Sequence, residues 1–255
     1  METTKNFVGI IAARSGSKGI KNKNLLSIKK KNIVKIAYDI AIQIKELKKI
    51  IITSDSTKIL NLIPNDKKNF KIKRSKKLSL DNSPMLPVLK DAIIKYEKKY
   101  ITKIDAIIIF DPTSPLRIKS DISGALEIFK GKKADLVVSV HPCQHNPYFS
   151  MLEKNGKFFN LSKIKNKNPG SRQDVPIVYE INTLVWIYSR NAIFKEKKRI
   201  PKKTVIFLTP YLRSVDIDTK DDIEKINFYL KKNAGVKKDL QNLTKKRQLD
   251  LFIFS

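Results

Sequence analysis

The sequence predicts an α/β fold built on a mostly parallel sheet. Three observations carry that prediction. Short apolar runs of strand type recur along the chain, segments with apolar residues at helical spacing separate them, and polar or glycine-containing loops follow the runs. At 255 residues the chain is long enough for one core with a small insertion. We read residues 1–232 as that core domain, with an inserted arm at about 142–176 and a basic tail at 233–255.

Taken in order, residues 7–13 (FVGIIAA) form the first strand, and residues 33–46 place Ile33, Ile36, Ala37, Ile40, Ala41 and Ile44 near helical spacing. Residues 50–53 are a second strand, closed by Ser54, Asp55 and Ser56, which cap a short helix running to Ile63. A helix over 85–100 begins near Pro84 or Pro87. Residues 104–110 are a continuous apolar run, as expected of a strand buried on both faces. A helix at 120–130 and strands at 134–140, 183–188 and 205–208 follow. A helix at 219–230 closes the core, with Asp221, Asp222 and Glu224 in its first turn, where the helix dipole favours them. The stretch 142–176 breaks the alternation; it is rich in Asn, Pro, Lys and Ser, with a hairpin expected at Asn155-Gly156.

The net charge of +29 admits two readings. One is an anionic partner such as nucleic acid; the other is a drift toward lysine over the whole chain, which the scattered lysine pairs and triples favour. The drift makes arginine informative. Only eight of the 53 basic residues are Arg, so each marks a place where a planar, bidentate guanidinium is needed. No run of about 18 apolar residues occurs, so no membrane span is expected. The opening METTKNFVGI lacks a signal-peptide pattern, and the single Cys143 forbids an internal disulfide; both fit a cytoplasmic protein. His141, Cys143 and His145 sit around Pro142 with no second cluster, which speaks against a metal site there.

In open parallel sheets, ligands sit beyond the carboxyl ends of the strands. That rule brings several segments to one edge. The loop after the first strand holds Arg14, Gly16, Lys18, Gly19, Lys21 and Lys23, a setting for phosphate, although its spacing is neither the P-loop nor the dinucleotide fingerprint. DPTSPLR, residues 111–117, is a proline-stiffened loop with Asp111 at the mouth of a strand. In SVDIDTKDD, residues 214–222, Asp216 and Asp218 flank Ile217, so an extended segment would turn both carboxylates to one face, a pairing suited to Mg²⁺ beside a polyphosphate. Arg172 before the 183–188 strand suits a substrate carboxylate, and residues 74–84 add Arg74, Asp81 and Ser83 on a loop.

Taken together, these segments resemble the acylneuraminate cytidylyltransferase family, the CMP-sialic acid synthetases. The opening A-R-x-G-S-K-G-x-x-x-K-N pattern is met by residues 13–24. Q-P-T-S-P-L-R is met by residues 111–117 with Asp111 in place of glutamine. The R-P-x-x-L and D-x-S-P-type stretch is met by Arg74, Leu78, Asp81, Ser83 and Pro84, the R-Q pair by Arg172-Gln173, and S-I-D-I-D-T by residues 214–219. The matches run in the family's order over residues 7 to about 230. The resemblance implies a Rossmann-like nucleotidyltransferase that joins CTP to a nine-carbon 2-keto sugar acid, giving the CMP-sugar and pyrophosphate. It implies that Arg14, Ser17, Lys18 and Lys23 hold the triphosphate, that Asn24, Arg74 and Ser83 hold the cytidine, and that Arg172, Gln173 and Asn182 lie on the sugar side. Asp216 and Asp218 are then the Mg²⁺ carboxylates, with Arg14 and Lys23 beside them at the reacting phosphate. It also implies a homodimer through the 142–176 arm.

Three departures bear on the sugar. An acid at Asp111 is similar to the KDO cytidylyltransferases, which implies an extra metal ligand there or a changed sugar contact. Glu180 stands where sialic acid enzymes often carry a basic residue, and Thr183-Leu184 replaces Gly-Ala. With Asn146-Pro147-Tyr148-Phe149, these changes resemble the legionaminic-acid branch. A second reading stays open beside the enzyme. Residues 16–19 (GSKG) match the G-x-x-G of KH domains and the charge suits RNA. The long α/β pattern and the lack of an aromatic ladder weigh against it, so only weak, salt-labile nucleic-acid binding is expected.

Overall fold

The computed structural model describes residues 5–16, 19–164 and 170–232. A seven-stranded sheet forms its centre, built from β1 (Phe7–Ala12), β4 (Leu47–Ser54), β5 (Asn69–Lys73), β6 (Ala106–Ile109), β7 (Leu136–Pro142), β10 (Tyr179–Ser189) and β11 (Thr204–Leu208). Two short hairpins supply the remaining strands, β2 (Ser27–Ile28) with β3 (Lys31–Asn32), and β8 (Leu152–Asn155) with β9 (Phe158–Leu161). The helices are α1 (Ile33–Ala41), α2 (Thr57–Asn61), α3 (Met85–Tyr100), α4 (Lys119–Lys132) and α5 (Lys220–Lys232). The sheet order is β11-β7-β10-β6-β1-β4-β5, and only β10 runs antiparallel to its neighbours.

Alternation along the strands sorts their side chains into two cores. Phe7, Ile11, Ile50, Ile52 and Ile108 pack with α1, α2 and α4, whereas Val8, Ile10, Ile51, Ile107 and Ile109 pack with α3. Both faces are therefore covered, which is why the central strands read as unbroken apolar runs. A third, smaller cluster of Ile28, Ile33, Leu116, Ile217 and Ile226 fastens α5 and the acidic segment to the main body. The parallel strands β1, β4, β5 and β6 all deliver their C-terminal ends to one edge, where the loops after them meet.

The expected elements form, with shifted ends and two additions. The helix expected over 33–46 stops at Ala41. β5 was not expected, because NFKIK at the sheet edge buries only Ile72 and shows little apolar character. The Asn155-Gly156 hairpin forms with Gly156 at φ +62°, a conformation that glycine adopts without penalty. Leu152, Phe158 and Phe159 on it are 64, 76 and 63 % exposed, so the hairpin buries little against its own chain. The 233–255 tail lies outside the described residues.

Candidate active site

The loops beyond β1, β5 and β6 enclose a cavity of about 270 Å³, whose lining includes Arg14, Gly16, Lys23, Asn24, Arg74, Asp81, Ser83, Asp111, Thr113 and Asp216. Of the residues expected from sequence, Arg14, Lys23, Asn24, Arg74, Ser83, Asp111 and Asp216 therefore share one chamber. Ser17 and Lys18 lie outside the described residues.

The loop after β1 is shaped by tertiary contacts. The Asn24 carboxamide donates to the Arg14 carbonyl at 2.8 Å, folding the loop back on its start. Gly19 passes so close to the chain at Asp218 that a Cβ there would lie 2.4 Å from the Asp218 carbonyl oxygen. That contact, rather than a left-handed backbone, is what excludes a side chain at Gly19. Two of the cations that line the cavity are paired: Arg14 Nη1 with Asp81 Oδ1 at 2.8 Å, and Lys23 Nζ with Asp218 Oδ1 at 2.9 Å.

Arg74 is different. It is 6 % exposed, yet its Nε and one Nη have no protein acceptor. Burial lowers its pKa, and the nearby Asp55 charge partly offsets that. A buried guanidinium with idle donors facing a cavity is unstable unless a ligand acceptor completes it. Asn24 Oδ1 is likewise buried and unpartnered. Ser83 donates to the Lys77 carbonyl at 3.1 Å, closing the loop that forms the cavity's far wall.

On the opposite wall, Asp111 and Asp216 stand together. The Thr113 N–H and hydroxyl both donate to Asp111 Oδ1, at 3.1 and 2.8 Å. The Thr113 carbonyl accepts from Ile217 N at 2.9 Å, which draws the acidic segment against this loop. Asp216 Oδ1 is buried without a partner. Burial, joined by the Asp111 charge, pushes the Asp216 carboxyl up to about 6. A buried carboxylate oxygen with no donor, next to a second carboxylate, is the arrangement a hard divalent cation satisfies.

Asn182 departs from its expected role, while Asp218, Arg172 and Gln173 lie outside the lining of this cavity. The Asp218 side chain is 71 % exposed and holds Lys23, and its charge reaches Asp216 and adds to the lift of that carboxyl. The Asp218 and Thr219 N–H groups turn onto Asp222 Oδ2 at 3.1 and 2.9 Å, starting α5, while Ile217 is fully buried. On this wall the carboxylates that line the cavity are Asp111 and Asp216. Asn182 does not present its side chain to a ligand. Its Oδ1 accepts from Ser139 Oγ (2.6 Å) and Leu184 N (3.2 Å), and its Nδ2 donates to Thr209 Oγ1 (2.9 Å) and Ser214 Oγ (3.1 Å). This saturated carboxamide holds an offset in β10, where residues 182–185 face Ser139 alone. Arg172 and Gln173 lie on an exposed 3₁₀ turn, Arg172–Asp174, outside the cavity lining of this chain.

Sequence reasoning passed over two structural arginines. Arg117, 3 % exposed, donates to the Asp111 carbonyl and to the Thr183 and Leu184 carbonyls, so it fixes the Asp111 loop to the β10 offset. Arg213 makes a buried two-pronged pair with Asp121 beneath the same loop. Both follow from the rarity of arginine, but only contacts distinguish a brace from a ligand-binding group.

The family model described as cytidylyltransferase matches residues 8–247. The chain is 32 % identical over 232 residues to post-translational flagellin modification protein B of Campylobacter coli, covering 90 % of this chain and 97 % of that one. It is 30 % identical over 221 residues to the CMP-N,N'-diacetyllegionaminic acid synthase of Campylobacter jejuni subsp. jejuni serotype O:2, covering 86 % and 93 %. In fold it is similar to a CMP:2-keto-3-deoxy-manno-octonic acid synthetase complexed with CTP, with TM-score 0.61, 15 % identity, and coverage of 89 % of this chain and 99 % of that one.

Proposed function

The chain belongs to the cytidylyltransferase family and is a nucleotidyltransferase, and from that premise we propose that it activates a nonulosonic acid of the legionaminic type with CTP. The observation that carries the reading is one cavity in which Arg14, Lys23 and the incompletely bonded Arg74 face the Asp111–Asp216 pair. In the reaction the anomeric hydroxyl of the sugar acid loses its proton as its oxygen bonds to the α-phosphorus, the bond from that phosphorus to the α–β bridging oxygen breaks, and pyrophosphate leaves.

In this reading Arg14 and Lys23 take the triphosphate charge, and Arg74 and Asn24 complete their hydrogen bonds on the nucleotide. Asp111 and Asp216 hold Mg²⁺, which when bound neutralises phosphate charge. Asp216 Oδ1, buried without a donor, fits that task. Positioning and charge neutralisation are the main requirements of such a transfer. The legionaminic assignment is supported by Asp111, Glu180 and Thr183-Leu184, and by the similarity to the CMP-N,N'-diacetyllegionaminic acid synthase of Campylobacter jejuni. With CTP and Mg²⁺, pyrophosphate release across a panel of sugar acids should have its highest kcat/KM for N,N'-diacetyllegionaminic acid. A preference for N-acetylneuraminic acid would overturn the sugar assignment, and silence across the panel would overturn the activity.

The same reading includes a homodimer. The exposed aromatic hairpin β8–β9 needs a partner surface, since an isolated two-stranded hairpin is marginal in water. A mainly apolar groove of about 380 Å³, lined in part by Val138, Val140, Ile177, Ile181 and Ile206, lies at the base of the same arm. Arg172, on the arm and away from its own cavity, then serves the neighbour's site. Mixing inactive Arg14→Ala and Arg172→Ala proteins, unfolded and refolded together, should restore about a quarter of wild-type activity, because a mixed dimer holds one intact site. No recovery would place Arg172 in its own chain's site or outside catalysis.

A further inference from the structure

We propose that Asp55, which does not line the cavity, is a positioning residue for the nucleotide: one carboxylate clamps the loop after β1 and faces the buried guanidinium on the next wall. The loops after β1, β4 and β5 lie side by side because the three strands are parallel neighbours. Asp55 follows the middle one. Its Oδ1 accepts from Ser15 N at 2.8 Å and its Oδ2 from Ser15 Oγ at 2.6 Å, so both oxygens are spent on the residue between Arg14 and Gly16. Burial raises the pKa of this carboxyl, but the two Ser15 donors, the group's own backbone N–H and the Arg74 charge together leave it below its ordinary value.

On the other side, Arg74 is anchored by its backbone N–H to the Ser54 carbonyl at 2.8 Å, directly before Asp55. Among the described residues no carboxylate pairs with its guanidinium within 4.0 Å, while the Asp55 charge partly offsets the effect of burial on it. A single acid therefore holds the residue after Arg14 through both its oxygens and lends a counter-charge to the buried Arg74 guanidinium. A displacement of about 1 Å in such a support is enough to change a rate about 10²-fold.

The inference rests on the proposed CTP site, and its test separates the two. CTP binding in the presence of Mg²⁺ is measured directly by calorimetry, alongside steady-state KM values for both substrates. Asp55→Ala should weaken CTP binding about 10- to 100-fold and leave the KM for the sugar acid within about twofold. Asp55→Asn, which keeps an acceptor for Ser15 N–H, should recover part of the loss. Ser15→Ala combined with Asp55→Ala should lose less than the sum of the single effects. If Asp55→Ala does not fold, Asp55→Asn and Ser15→Ala carry the decision on the same CTP readout. Unchanged CTP affinity in a folded Asp55 variant, or equal rises in both KM values, would overturn the role of Asp55. Absence of CTP binding by the wild-type protein would instead overturn the site.

Discussion

Asp216→Asn should abolish most activity and stabilise the metal-free protein. The rate should fall about 10³-fold, as expected when a carboxylate serving a catalytic cation is neutralised. The stability effect has the opposite sign. In the folded chain, burial and the Asp111 charge lift the Asp216 carboxyl to about 6, above its unfolded value near 3.8. A raised folded pKa means that its favourable contribution is complete below about pH 4 and is lost as pH climbs through 6. At pH 7–8 the ionised, buried group therefore costs on the order of 1–3 kcal/mol, since each unit is worth about 1.4 kcal/mol. In EDTA at pH 7.5, the Asp216→Asn protein should melt about 3–10 °C above wild type. The gap should close near pH 4, and Mg²⁺ should narrow it at pH 7.5 by stabilising the wild type alone. Equal melting curves at every pH would remove the claim that Asp216 is a strained, ligand-seeking carboxylate.

Arg14→Ala should lower kcat/KM for CTP about 10²–10³-fold, the usual loss when a donor aimed at developing phosphate charge is removed. The fold should hardly notice, because Arg14 contributes a partly exposed ion pair to Asp81, with side chains 28 and 45 % exposed. Such pairs are worth about 0–1 kcal/mol. Arg14→Lys should recover charge but not fork geometry and fall between the two. A rate within twofold of wild type for Arg14→Ala, measured at CTP concentrations below KM, would remove Arg14 from the triphosphate site.

Much of this arrangement is written locally in the chain. The run FVGIIAA declares a buried strand, and the runs at 50–53 and 104–110 that flank it in the sheet are comparably apolar, so the parallel core and its functional edge were legible. Arg14, Lys23, Asn24, Arg74, Ser83, Asp111 and Asp216 meet in the cavity because each follows a strand end or lies in the loop beyond it. What was not legible depends on contacts between distant segments. The turn after Ile217 was not legible: Asp222 captures the Asp218 and Thr219 N–H groups and starts α5, leaving Asp218 exposed beside Lys23. Asn182 has the composition of a ligand-binding residue, yet the β10 offset consumes all its hydrogen-bonding capacity. Asp55 looked like part of a helix cap; only the adjacency of β1 and β4 shows that it belongs to Ser15. β5 escaped notice because an edge strand needs few apolar residues.

The ion pairs Arg14–Asp81 and Lys23–Asp218 make ligand entry a swap. Each of these cations carries its own built-in competitor, so an arriving anion gains only the difference between itself and a carboxylate. A triphosphate can span both cations and evict both carboxylates at once. The product of the proposed reaction brings one phosphodiester charge to these cations, its other charge being the carboxylate on the sugar, so at least one of the two carboxylates is free to return. The same pairs that lower affinity for stray monoanions thus bias the site toward emptying after turnover.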